Sequence, residues 1–206
     1  HGRAPDTVTL LAVSKTFGAD AVREAFAAGQ TAFGENYIQE AVEKMAALAD
    51  LPLQWHCIGP MQSNKTRLVA GHFDWAHTVD RLKIAQRLSE QRPAGMAPLN
   101  VCIQVNIDGG PTKAGVAPNE ALALAQAVAA LPNLRLRGLM TIPEPAPDFV
   151  AACAVHMRAR ALFDALNAAG LALDTLSMGM TGDMEAAIAS GSTMVRVGTA
   201  IFGVRF

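Results

Sequence analysis

The chain has 206 residues, 51% of them apolar and 17% charged, which suits a packed domain and excludes an intrinsically disordered chain. The formal net charge is −1 and neither sign gathers in a run, so nucleic-acid binding and docking on an anionic membrane find no support. No apolar run approaches the roughly 18 residues that a spanning helix needs, and HGRAPDTVTL lacks the apolar stretch of a signal peptide.

Short β-type runs alternate with longer helical ones along the whole chain. Residues 7–14 (TVTLLAVS) form a nearly continuous apolar and β-branched run, the pattern of a strand covered on both faces. A helix over 20–29 ends at Gly29, a very short strand covers 31–34, and a helix over 36–49 places Ile38, Ala41, Val42, Met45 and Leu48 on one stripe. Strand 53–58 precedes a short helix at 64–70. Strand 73–78 precedes a helix at 80–91 with Asp80 as its N-cap. Strand 100–106 (NVCIQVN) is the strongest in the sequence, and an Ala/Leu helix at 119–130 follows it. Strand 134–140, a long helix at 148–169, strand 175–178, a helix at 183–189 and strand 193–197 complete the series.

Strand-then-helix units without consecutive strands predict an all-parallel sheet. Eight strands are the number that closes a (β/α)8 TIM barrel, and a doubly wound open sheet is the alternative. No linker divides the chain, so a single domain over 1–206 is expected, with Pro143–Pro147 as a surface loop. Cys57, Cys102 and Cys153 are widely spaced among apolar neighbours. They read as reduced thiols of a cytoplasmic protein, and neither they nor the five histidines show metal-ligand spacing.

In a barrel, function sits where strands end at their C-termini. Lys15, Asn36, His56, His77, Asn106, Met140, Ser177 and Arg196 occupy those ends. Lys15 closes a strand built for burial. A desolvated lysine beside a cation such as Arg196 is pushed toward the neutral amine that forms Schiff bases with aldehydes, although a strand-end lysine also reaches simply into water. Arg196-Val197-Gly198-Thr199 follows strand eight. Gly198 lets backbone amides approach an anion, Thr199 adds a hydroxyl, and a helix start adds its dipole. Ser177-Met178-Gly179 is the matching loop after strand seven. Lysine at strand one with a phosphate cradle at strands seven and eight describes a site for pyridoxal 5′-phosphate, with Arg196 facing the pyridine nitrogen. No nucleophile elbow, zinc-protease motif, P-loop or dinucleotide fingerprint occurs. Glu35, Glu40, Glu43 and Glu185 are expected on solvated helix faces. Lys113, in a glycine-rich turn, is a candidate contact for an anionic ligand.

These residues sit in blocks that resemble the pyridoxal phosphate homeostasis protein family. The blocks are AVSKT at 12–16, FGENYIQE at 33–40, WHCIGPMQSNK at 55–65, IQVNIDGGPTKAGV at 103–116, GLMTIPE at 138–144 and LSMGMTGDMEAAIASGSTMVRVGTAIFG at 176–203. The resemblance implies a single barrel like the N-terminal domain of alanine racemase, with pyridoxal phosphate held on Lys15. It implies that Ser177, Gly198 and Thr199 hold the phosphate, that Arg196 meets the ring nitrogen, and that Asn36 lies beside the ring. An arginine at that nitrogen keeps it unprotonated and weakens the ring as an electron sink. Relatives normally carry a helix before the first strand, so one is expected ahead of His1.

Two functions follow from different classes. One is a carrier without robust catalysis, which buffers the cofactor inside the cell and passes it to apo-enzymes that use pyridoxal phosphate. The other is an amino-acid racemase of the alanine racemase type. A racemase needs a second acid–base group opposite the lysine. The only tyrosine, Tyr37, lies next to the Asn36 loop, so the carrier is favoured. A monomer is expected, since no second subunit is needed to complete the site.

Overall fold

The computed structural model describes residues 1–111 and 113–204. Eight parallel strands close into a barrel in sequence order. They are β1 (Thr9–Val13), β2 (Ala32–Glu35), β3 (Gln54–Cys57), β4 (Trp75–Val79), β5 (Leu99–Val105), β6 (Leu134–Thr141), β7 (Thr175–Ser177) and β8 (Met194–Val197). The outer ring is α1 (Ala19–Ala27), α2 (Ile38–Ala47), α3 (Thr66–His72), α4 (Leu82–Gln91), α5 (Ala121–Ala129), α6 (Phe149–Ala168) and α7 (Met184–Ala189). A short α8 (Thr199–Phe202) follows β8. One pairing decides between barrel and open sheet: Thr9, Leu10, Leu11 and Ala12 of β1 lie opposite Met194, Val195, Arg196 and Val197 of β8.

Several boundaries differ from the sequence expectation for local reasons. β1 begins two residues late because a 3-10 turn, Pro5–Thr7, precedes it. Arg3 anchors that turn by donating to the carbonyls of Ser192 and Ile188. Asp80 does not cap α4: the N-cap is Arg81, without a side-chain bond, and Asp80 lies 3.7 Å from the Arg81 guanidinium. Asp148 does cap α6, accepting from the Ala151 amide at 2.8 Å.

Strand alternation sorts side chains into two apolar layers. Ala12 of β1 and Phe33 of β2 join the layer between sheet and helices, whereas Leu11, Val13 and Ala32 point into the barrel. Glu35 continues the outward parity of Phe33. It is fully buried between β2 and the helices, which corrects its placement on a solvated helix face. The same burial pushes the thiols of Cys57 and Cys102 up to about 12, so both stay protonated and inert.

Close strand packing depends on Gly138 of β6, whose missing Cβ would stand 1.5 Å from the Thr175 carbonyl oxygen of β7. Gly138→Ala is expected to cost about 3 kcal/mol by forcing those backbones apart. Gly71, near the end of α3, has open space around it. Gly71→Ala is expected to raise stability by about 0.5 kcal/mol. Urea unfolding of both variants checks the contrast.

Candidate cofactor site

At the C-terminal end of the barrel lies a cavity of about 500 Å3, lined by Lys15, Asn36, Arg196, Gly198 and Thr199. Val13, Ile58 and Ile142 supply apolar wall, and Met180, Thr181 and Gly182 close another side. The structure thus brings together five of the six anticipated side chains or backbones. Ser177 sits beneath them: it is fully buried, and its hydroxyl accepts from Arg196 Nη1 at 2.7 Å. Thr181 and Gly182 were not anticipated. Their signal was a hydroxyl residue and a glycine directly after strand seven.

The backbone on both sides of Lys15 is pinned. Ser14 donates its hydroxyl to Glu35 Oε1 at 2.7 Å, and its carbonyl accepts from Lys44 Nζ at 2.9 Å. Lys44 also donates to Glu35 Oε1 at 2.6 Å and lies 3.2 Å from Glu40 Oε1. Glu40 Oε1 in turn accepts from the Thr16 amide at 2.9 Å. Thr16 has a φ of 66°, a left-handed conformation that a β-branched residue seldom adopts. Burial raises the Glu35 carboxyl above its ordinary range, opposed by the hydrogen bonds from Lys44 and Ser14.

Arg196 rises from β8 as a buried cation. Its Nη2 donates to the Thr141 carbonyl at 2.8 Å, complementing the Nη1 bond to Ser177. Burial lowers its guanidinium to about 10, opposed by the Asp183 charge, so it stays protonated near neutrality. Beyond β8, a Cβ on Gly198 would stand 3.2 Å from the Val13 carbonyl oxygen. α8 then begins at Thr199, and the first amides of a helix have no partner within it. The loop after β7 is fixed by Asp183, which accepts from the Met180 amide at 2.7 Å and meets His156 Nε2 at 2.8 Å.

The donor set fits a phosphorylated aromatic aldehyde. Lys15 offers an amine, Gly198 and Thr199 offer a narrow backbone turn with a hydroxyl, and Arg196 offers a cationic N–H face. Asn36 Oδ1 is buried without a protein partner among the described residues, in the wall of the same cavity. Gly59 makes room for it, since a Cβ there would stand 2.3 Å from the Asn36 carbonyl oxygen. Lys113 is engaged elsewhere: Nζ donates to the Ile142 carbonyl at 2.8 Å and lies 3.3 Å from Glu144 and 3.8 Å from Asp108. Tyr37 is 53% exposed at the start of α2. Among the described residues no three His, Cys, Asp or Glu side chains group to hold a metal ion.

Below Arg196 the barrel interior holds His56 and His77, both fully buried. Burial lowers His56 to about 3 and His77 well below its ordinary value, helped by neighbouring positive charge. Unfolding releases both imidazoles to take up protons that the fold refuses. Stability is therefore complete above about pH 6.5 and falls as the pH drops toward 3. The expected loss is about 1.4 kcal/mol per pH unit for each histidine. Urea unfolding between about pH 7 and pH 5 measures the slope, and His56→Gln is expected to remove roughly half of it.

The family model described as "Alanine racemase, N-terminal domain" matches residues 2–206. A pyridoxal phosphate homeostasis protein of Pseudomonas aeruginosa is 65% identical over 204 residues, covering 99% of this chain and 87% of that protein. The protein of the same name from Escherichia coli K12 is 56% identical over 207 residues, covering 99% and 88%. Among solved structures, PipY of Synechococcus elongatus with PLP bound is similar with a TM-score of 0.89 at 41% identity, covering 98% of this chain and 95% of that one. The chain belongs to the pyridoxal phosphate homeostasis protein family, built on the alanine racemase N-terminal domain.

Proposed function

We propose that this protein binds pyridoxal 5′-phosphate, holds it covalently on Lys15, and buffers it and passes it to apo-enzymes without turning over a substrate of its own. The observation that carries this reading is the single cavity shared by Lys15, Asn36, Arg196, Gly198 and Thr199. When bound, the cofactor would supply an aldehyde, the group that condenses with a lysine amine with loss of one water. Lys15 presents that amine from a strand end whose neighbours are held by Glu35, Glu40 and Lys44. Gly198, Thr199 and the adjacent helix start receive the phosphate, with Ser177 acting from below through Arg196. Arg196 faces the ring nitrogen and Asn36 borders the ring.

A racemase reading draws on the domain family alone, and fold is not function. Removing a proton from one face of a substrate and returning it to the other needs two placed groups. Of the described residues that line the cavity, only Lys15 and Arg196 are ionisable, and Arg196 is tied to Ser177 and Thr141. The inert thiols of Cys57 and Cys102 suit a reducing cytoplasm. No helix among the described residues is long and apolar enough to cross a membrane.

The test is to load the protein with pyridoxal phosphate and record the visible absorbance of a lysine-bound cofactor. Wild type is expected to show the band and Lys15→Ala to lose it. Proton NMR in D2O with L- and D-amino acids is expected to show no α-proton exchange beyond that of free cofactor. Exchange at about 1 per second or faster would overturn the carrier reading in favour of an enzyme.

A further inference from the structure

The barrel axis carries a chain of polar side chains that cofactor binding alone does not call for. Gln54 Oε1 lies 2.9 Å from His56 Nε2, and His56 Nδ1 lies 2.9 Å from His77 Nε2. His77 Nδ1 lies 3.0 Å from Ser177 Oγ, which accepts from Arg196 Nη1 at 2.7 Å. Four strands contribute, β3, β4, β7 and β8, so the chain crosses the interior from one side of the barrel to the other. His56 also stacks on Trp75, with ring centroids 5.0 Å apart and planes at 13°.

A donor-only guanidinium at one end and the Gln54 oxygen at the other fit one order of protons along the chain. A guanidinium has donors only, so Arg196 gives a proton to Ser177 Oγ. In that order the serine's own proton points to His77 Nδ1, which carries the lone pair. A neutral imidazole has one N–H, so the His77 proton is on Nε2 and is donated to His56 Nδ1. His56 likewise carries its proton on Nε2 and donates it to the carbonyl oxygen of Gln54. The opposite order has Ser177 accept from both Arg196 and His77 and sets a His56 lone pair against the Gln54 oxygen. Burial keeps both rings neutral, as the order requires.

We propose that Gln54, His56, His77 and Ser177 form a proton-ordered relay that positions Arg196 at the cofactor cavity, with both histidines standing as Nε2–H tautomers. Each bond presents its lone pair toward Arg196, so the aligned dipoles reinforce one another and favour the cationic guanidinium. His56 and His77 are positioning residues, acting on the ligand only through Arg196. Their bearing on pyridoxal phosphate rests on the function proposed above; the order of the protons does not.

The first measurement is a two-bond proton–nitrogen NMR spectrum of the ligand-free protein labelled with 15N-histidine, at about pH 7. His56→Gln and His77→Gln assign the two rings. Nε2–H patterns for both are expected, and an Nδ1–H or doubly protonated ring at either position overturns the relay. The second measurement loads His77→Leu and His77→Gln with pyridoxal phosphate. His77→Leu breaks the chain and is expected to weaken retention about tenfold and to shift the visible band. Glutamine accepts and donates as the neutral ring does, so His77→Gln is expected to restore both. Nε2–H tautomers together with wild-type retention and an unshifted band in His77→Leu would overturn the positioning role. A wild-type protein that forms no lysine-bound band at all would sink the proposed function instead, and the tautomer result would still decide the relay.

Discussion

A guanidinium buried at the centre of a closed barrel sets the terms for much of what surrounds it. Arg196 is 3% exposed, and taking such a cation out of water costs several kcal/mol even after the protein relaxes. Hydrogen bonds to a charged group return about 1.5–3 kcal/mol each, so the bonds to Ser177 and Thr141 are of the size needed to offset that cost. In the proposed relay the Ser177 proton goes to His77, which places a lone pair there. The requirement passes to His56 and ends at Gln54 near the opposite mouth of the barrel. An interior that other barrels fill with branched aliphatic layers is here partly polar, and its polarity is traceable to one charge.

Lys15 is governed by a second constraint, set from outside the barrel. Its neighbours Ser14 and Thr16 are held by Glu35 and Glu40 with Lys44 between them. The left-handed φ of Thr16 costs on the order of 1 kcal/mol, and the Glu40 bond to its amide helps to keep it there. The strand end is thus presented in one conformation by a network that lies behind the sheet, while Arg196 is presented by a network inside it. The two supports share no residue.

The fold was legible because hydrophobic period and strand count are local signals that all agreed. Runs of 4–8 apolar residues alternated with helical stripes through 15 elements, and parallel pairing in order followed from that alternation. The top of the site was legible for a related reason, since strand ends in a barrel converge. Glu35 was misread because its parity depends on where β2 ends. A strand expected to stop at residue 34 leaves Glu35 in the turn before the helix, whereas one residue more buries it with Phe33. His56 and His77 were visible as polar residues at strand ends, but their contact depends on the stagger between β3 and β4. His56 pairs in register with Trp75, two residues before His77, and no sequence pattern encodes that offset. Ser177 was expected at the phosphate from the family resemblance; its inward parity on β7 brings its hydroxyl to Arg196, a contact that no local pattern encodes.

The electrostatics of Arg196 connect the two halves of the argument about function. Burial lowers the Arg196 guanidinium only to about 10, so it keeps its proton at pH 7. A ring nitrogen facing such a group finds a donor that does not give up its proton, so in the proposed complex the nitrogen stays unprotonated. An unprotonated ring withdraws electrons weakly, which slows every reaction that leaves charge on a bound amino acid. Weak electron withdrawal suits storage and transfer of the cofactor, and it is the opposite of what transamination requires. The proposed relay behind Arg196 would keep that setting fixed, because each of its lone pairs would point the same way.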